Sequence, residues 1–122
     1  MTTPAQPKPS SSNGSAKEPS EVYHLGRQAL ADSRRWFPNT SESVAFTCLA
    51  LAGEVGELCN LVKKIERGTA QWGDAKIKYD IHMEVADIFT YLMDLAGQLN
   101  VDLVRLYELK RIENERRFGH HE

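Results

Sequence analysis

Residues 41–67 read SESVAFTCLALAGEVGELCNLVKKIER, and the fold turns on this stretch. It predicts one long helix. Val44, Cys48, Leu51, Val55, Leu58, Val62 and Ile65 recur at alternating steps of four and three, the spacing of a helix packed along a bundle. Thr40 or Ser41 is the expected cap and Gly68 the stop. Upstream, a helix is expected over 21–36, with Ser20 as its cap, followed by a turn, FPNTS, that begins before Pro38. Downstream, after the loop GTAQWG at 68–73, a helix over 75–99 carries the seam Ile81, Val85, Ile88, Leu92 and Leu95 and closes at Asn100. A last helix over 103–118 starts at Asp102 and stops at Gly119. No strand alternation and no internal repeat appears. The expected class is all-α, a bundle of four helices.

The chain has 122 residues, room for one domain. Residues 1–20, MTTPAQPKPSSSNGSAKEPS, hold four of the five prolines and almost nothing to bury, so a disordered tail is expected there. The helical domain is expected over 21–119 and a frayed end over 120–122. A net charge of -2 lacks the basic balance of a protein that lives on nucleic-acid phosphates, so no nucleic-acid polymer is expected as partner. No apolar run approaches the roughly 20 residues that span a bilayer, and no signal pattern opens the chain. The expected location is cytoplasmic, without a membrane partner. Cys48 and Cys59, on one helix, stand roughly 16 Å apart at about 1.5 Å rise per residue, beyond the reach of a disulfide. The two central helices are long for so small a domain, and their seams exceed what the flanking helices cover. A second subunit is the expected cover.

The chemistry lies in four acids. Glu54 and Glu57 sit on the second predicted helix, Glu84 and Asp87 on the third, each pair three residues apart and beside its apolar seam. If the helices pack through those seams, the four carboxylates converge. At an effective dielectric of about 20, two such charges 4 Å apart cost roughly 4 kcal/mol, a repulsion relieved by protons or cations. All-oxygen ligands suit hard divalent ions, Mg²⁺ or Mn²⁺. His82 falls about 200° round the helix from Glu84, which disfavours the Glu-x-x-His pattern of di-iron bundles. Gly53 and Gly56 inside the second helix cost roughly 1 kcal/mol each against Ala and suggest close approach by a helix or ligand. No Gly-rich phosphate loop is present, so the chain is not a P-loop protein.

LALAGEVGELCNLVKKIERG at 49–68, EVADIFTYL at 84–92 and VDLVRLYELKRIENERRFG at 101–119 together resemble the MazG-like, all-α nucleoside triphosphate pyrophosphohydrolases and the related dCTP pyrophosphatases. The ordered pattern is Glu54-x-x-Glu57, a gap of 26 residues, then Glu84-x-x-Asp87. The resemblance implies hydrolysis of a (deoxy)nucleoside triphosphate to the monophosphate and pyrophosphate, in a nucleotide-pool house-cleaning role. It implies that Glu54, Glu57, Glu84 and Asp87 hold Mg²⁺, with Mn²⁺ as a substitute. Glu54 or Glu57 is expected to take the proton of the attacking water. Tyr91 matches a tyrosine that faces the nucleotide, and Trp36 an aromatic near the base pocket. Lys110, Asn114 and Arg117 form a stripe of phosphate and nucleotide contacts, with Lys110 or Asn114 supplied in trans if the active unit is a homodimer or homotetramer. Lys64, also in the expected substrate set, stands where the dCTP enzymes carry a tryptophan. The alternative is a catalytically weak helical module that binds nucleotide or regulates; loss of one acid would favour it, and all four are present.

Overall fold

A computed structural model of the chain describes residues 17–38 and 43–119. Four helices make up its regular structure: α1 (Glu21–Trp36), α2 (Val44–Glu66), α3 (Ala75–Leu99) and α4 (Leu103–Phe118). No strand occurs among the described residues. The all-α, four-helix reading of the sequence holds. Of the expected tail at 1–20, residues 1–16 lie outside the described residues, as do the greater part of the turn before α2 and the expected frayed end at 120–122, while Ser20 is tied into the fold by its bonds to Asp102.

The helix boundaries follow from their caps. Ser20 accepts from the amide of Tyr23, Asp74 from that of Lys76, and Asp102 from that of Val104. Asn100 ends α3 in the left-handed region, with φ 54°. The cap of α2 is Ser43, whose hydroxyl accepts from Phe46 N at 3.1 Å, and not the expected Thr40 or Ser41. The helix therefore starts later than its sequence pattern suggested.

α3 is the central element, packed against α2 on one side and α1 on the other, while α4 meets α1. The α1–α3 crossing is tight because two glycines face each other. A Cβ on Gly97 would collide with the carbonyl oxygen of Gly26 and come within 2.8 Å of Leu30 Cβ. Around this contact lie the best buried apolar side chains, Leu30, Met93 and Ala96. The starts of α1 and α4 are tied together: Ser20 donates from its amide and hydroxyl to the two oxygens of Asp102, at 2.8 and 2.5 Å. These bonds hold the Asp102 carboxyl below its usual range. Tyr23 adds a hydroxyl donated to Asn100 Oδ1 at 2.9 Å.

Three expectations are corrected here. The packed face of α2 keeps Leu51, Leu58, Val62 and Ile65, but Val44, Cys48 and Val55 turn outward and Thr47 and Glu54 take their places. On α3, Val85 is exposed and Glu84 is half-buried. Apolar residues nearly encircle α2, so periodicity alone leaves its rotation open. Gly53 and Gly56 are not close-approach points within the chain: an added Cβ would meet nothing within 4 Å among the described residues. The crossing glycines are Gly26 and Gly97. Finally, α2 is long and apolar enough to cross a membrane by length and composition, contrary to the reading by apolar runs. Glu54 and Glu57 interrupt every run at its centre but scarcely lower the average. Each acid at mid-bilayer would cost about 3 kcal/mol, and Glu54 instead faces acids of α3.

The glycine crossing predicts an order of mutational cost. Gly97→Ala must push backbone against backbone and should lose about 1–3 kcal/mol of stability. Gly26→Ala, whose Cβ would meet Met93 O at 3.3 Å, should lose less. Urea midpoints of the two variants check the ranking; equal costs would contradict it.

Candidate functional site

Glu54 comes from the middle of α2, Glu84 and Asp87 from successive turns of α3. One carboxylate oxygen of each lies within 4.8 Å of the others. Because α2 and α3 pack through the faces that carry them, these three acids meet without a cation from the chain between them. The energetics show the strain. The Glu54 carboxyl is pushed up to about 7, first because a proton on it is shared with Glu84, then by burial, then by the charge of Asp87. The Oε1 atom of Glu84 is buried and has no hydrogen-bond partner among the described residues. An orphaned carboxylate oxygen within a triad of hard oxygen donors fits a divalent cation such as Mg²⁺ or Mn²⁺. Glu57 stands one turn along α2, exposed and outside this group.

Two cavities flank the acids. The first, about 530 Å³, opens between α1, the start of α2 and α3. Asp87, Tyr91, Trp36, Phe37 and Phe46 are among its lining residues, so an aromatic wall adjoins one acid of the triad. The second, about 450 Å³, lies between the end of α2 and the start of α3. It is polar, with Glu57 and Glu84 at one side and Lys63, Lys64 and Arg67 around it. None of these three cations forms an ion pair among the described residues.

Tyr91 and Trp36 thus share the first cavity, and Lys64 borders the second. Lys110, Asn114 and Arg117 line neither. They lie on exposed α4, where Lys110 pairs with Glu113 at 3.3 Å and the Arg117 guanidinium stacks on Phe118. The sequence reading passed over the Asp94 carboxylate, which lines the first cavity and is only 6% exposed. Its signal was available: Asp87, Tyr91 and Asp94 fall at i, i+4 and i+7 on one stripe of α3. Lys63 and Arg67 were also outside the expected set. They follow Glu57 on the last turns of α2, but only the α2–α3 pairing forms the recess they surround.

No family model matches the chain, and no solved structure matches it. Among curated proteins it is 37% identical over 76 residues to dCTP pyrophosphatase 1 of Rattus norvegicus and to that of Bos taurus, covering 60% of this chain and 44% of each relative. It is 35% identical over 60 residues to the Gene 37 protein of Mycobacterium phage L5, covering 49% of this chain and 53% of that protein. The chain therefore spans about half the length of the curated relatives it matches. These similarities, with the all-helical fold, support the dCTP pyrophosphatase and MazG-like family resemblance.

The raised Glu54 carboxyl gives a pH dependence with a definite sign. Between the ordinary 4.5 and about 7 the folded chain holds a proton that the unfolded chain releases. In chelator, the Glu54 contribution is fully present below about pH 4.5 and is lost as pH rises through about 7. Glu54→Gln should flatten this slope. Denaturant midpoints at about pH 5 and about pH 8 measure it; the same slope in both proteins would contradict the assignment.

Proposed function

We propose that this chain is a nucleotide pyrophosphohydrolase of the MazG-like, dCTP pyrophosphatase-like kind, converting a (deoxy)nucleoside triphosphate and water to the monophosphate and pyrophosphate. The observation that carries the reading is the meeting of Glu54, Glu84 and Asp87 between an aromatic cavity and a cationic recess. A triphosphate nucleotide has the matching order of parts: an aromatic base, a central phosphoryl group, a polyanionic tail.

In this arrangement Trp36 and Tyr91 border the base, and Lys63, Lys64 and Arg67 draw the β and γ phosphates toward the end of α2. Glu54, Glu84 and Asp87 hold Mg²⁺, or Mn²⁺ in its place. When bound, such an ion neutralises the triphosphate and polarises the α-phosphoryl group. Glu57, outside the triad and open to solvent beside Glu84, orients the attacking water and accepts its proton. Water oxygen bonds to the α phosphorus, the bond from that phosphorus to the bridging oxygen breaks, and its electron pair leaves with pyrophosphate. Removal of surplus or non-standard nucleotides is the role that such a reaction serves.

A second copy of the chain completes the molecule in this proposal. Leu49 is 74% exposed on α2, and Tyr107 and Ile112 are each 66% exposed on α4, a cost to a lone chain in water. A homodimer or homotetramer covers such surface, and the neighbouring α4 is then the source of Lys110, Asn114 and Arg117.

A product assay tests the reaction. Common dNTPs and NTPs would be supplied with Mg²⁺, with Mn²⁺ and with chelator, beside a Glu57→Ala protein. The expected products are monophosphate and pyrophosphate, abolished by chelator and reduced about a hundredfold or more in the variant. Diphosphate and phosphate as products, or full activity in Glu57→Ala, would overturn the proposal. Nucleotide binding without turnover would favour the regulatory alternative. Light scattering on the eluted protein should give at least twice the 13.8 kDa of one chain.

A further inference from the structure

The first cavity has an unusual electrostatic make-up. Asp32, Asp87 and Asp94 line it together with apolar, aromatic and uncharged polar side chains, and among the described residues no Lys, Arg or His does. Asp87 belongs to the triad. Asp94 does not: it lies two turns further along α3, about 10 Å away at about 1.5 Å rise per residue. It and Thr47, 6% and 1% exposed, are the deeply buried polar residues of the lining.

Asp94 is held from one side only. Gln98 donates from Nε2 to Asp94 Oδ1 at 3.2 Å and to Thr47 Oγ1 at 2.6 Å, and the Thr47 hydroxyl donates to the Ser43 carbonyl at 3.1 Å. The Gln98 amide and the Thr47 hydroxyl spend their donors within this network, and one carboxylate oxygen of Asp94 takes a bond from it. No donor among the described residues reaches Asp94 Oδ2. A carboxylate nine-tenths buried with an oxygen left free has strong reason to find a donor on whatever fills the space.

We propose that Asp94 is a specificity-determining residue, whose free oxygen accepts a hydrogen bond from the exocyclic amine of the substrate's nucleobase. The inference rests on the nucleotide reading of the site and goes beyond it by naming the base class. A base with a carbonyl at the same edge position presents oxygen to oxygen there, and the buried acceptors are then left unpaired. Sites built to pair a donor reject the analogue that lacks it far more strongly than apolar pockets reject a change of size. Gln98 fixes the carboxylate before the base arrives, so little ordering remains to be done on binding.

The test compares kcat/KM within two pairs that differ by amine against carbonyl: dCTP with dUTP, and dATP with dITP. The wild-type chain should favour the amine in at least one pair by about tenfold or more. Asp94→Asn, whose amide can present either an oxygen or an N–H, should bring that ratio close to one, chiefly through KM. Circular dichroism and the thermal midpoint establish that the variant is folded. A folded variant with the wild-type ratio would overturn the role of Asp94 while leaving the pyrophosphohydrolase reading intact. If the variant does not fold, the wild-type ratios decide: values near one in both pairs overturn the inference. Absence of turnover with every nucleotide overturns the site reading, and this inference with it.

Discussion

Like charges pressed together between two packed helices are the constraint on which the rest of the molecule depends. α2 and α3 associate through faces that bear Glu54, Glu84 and Asp87, so packing that half-buries Leu51, Leu58 and Ile88 also crowds carboxylates. Removing those acids from the interface would stabilise the fold at the expense of the site. The chain keeps them, and Glu54 answers by holding its proton up to about pH 7 while Glu84 retains a buried, unpartnered oxygen. Strain of this kind, stored in a rigid pair of helices, is what a cation would relieve.

The surrounding elements keep that pair in position and shape the space beside it. The Gly26–Gly97 crossing brings α1 against α3 backbone to backbone, and the aromatic cavity opens between these two helices and the start of α2. The Ser20–Asp102 bonds join two helix starts through side chains that already serve as caps, so one aspartate orders both ends. α3 carries the functional stripe itself: Glu84, Asp87, Tyr91 and Asp94 follow one another along it, from the acid triad to the depth of the cavity. In the proposed reading, this one helix would carry both the cation ligands and the base contacts.

The apolar surface left on α2 and α4 has the same origin. A layer in which α3 is flanked by α1 and α2 buries one face of each outer helix and leaves the other open. α2 is apolar round most of its circumference, which accounts both for its membrane-like composition and for the exposed Leu49. In the proposed assembly a second copy would cover that surface, whereas lipid would resist the two acidic side chains at the middle of α2.

The sequence by itself determined the helices. Caps at Ser20 and Asp102, the stop at Asn100 and the period of the apolar residues locate four helices, because these are local signals that need no knowledge of what lies across the chain, although α2 starts at Ser43 and not at the cap its sequence suggested. It also displayed the acids in their paired spacing. Tertiary structure alone decided which side of α2 faces inward, since an almost uniformly apolar helix carries no rotational preference of its own. That rotation put Glu54 and not Val55 against α3, set Glu57 apart from the triad and left Gly53 and Gly56 without neighbours. It decided too that Lys63, Lys64 and Arg67 line one recess with acids of α3 and that Gln98, beside Asp94, meets Thr47. Thr47 is 51 positions from Gln98 in the chain, and only helix packing brings residues so far apart in sequence to within 2.6 Å.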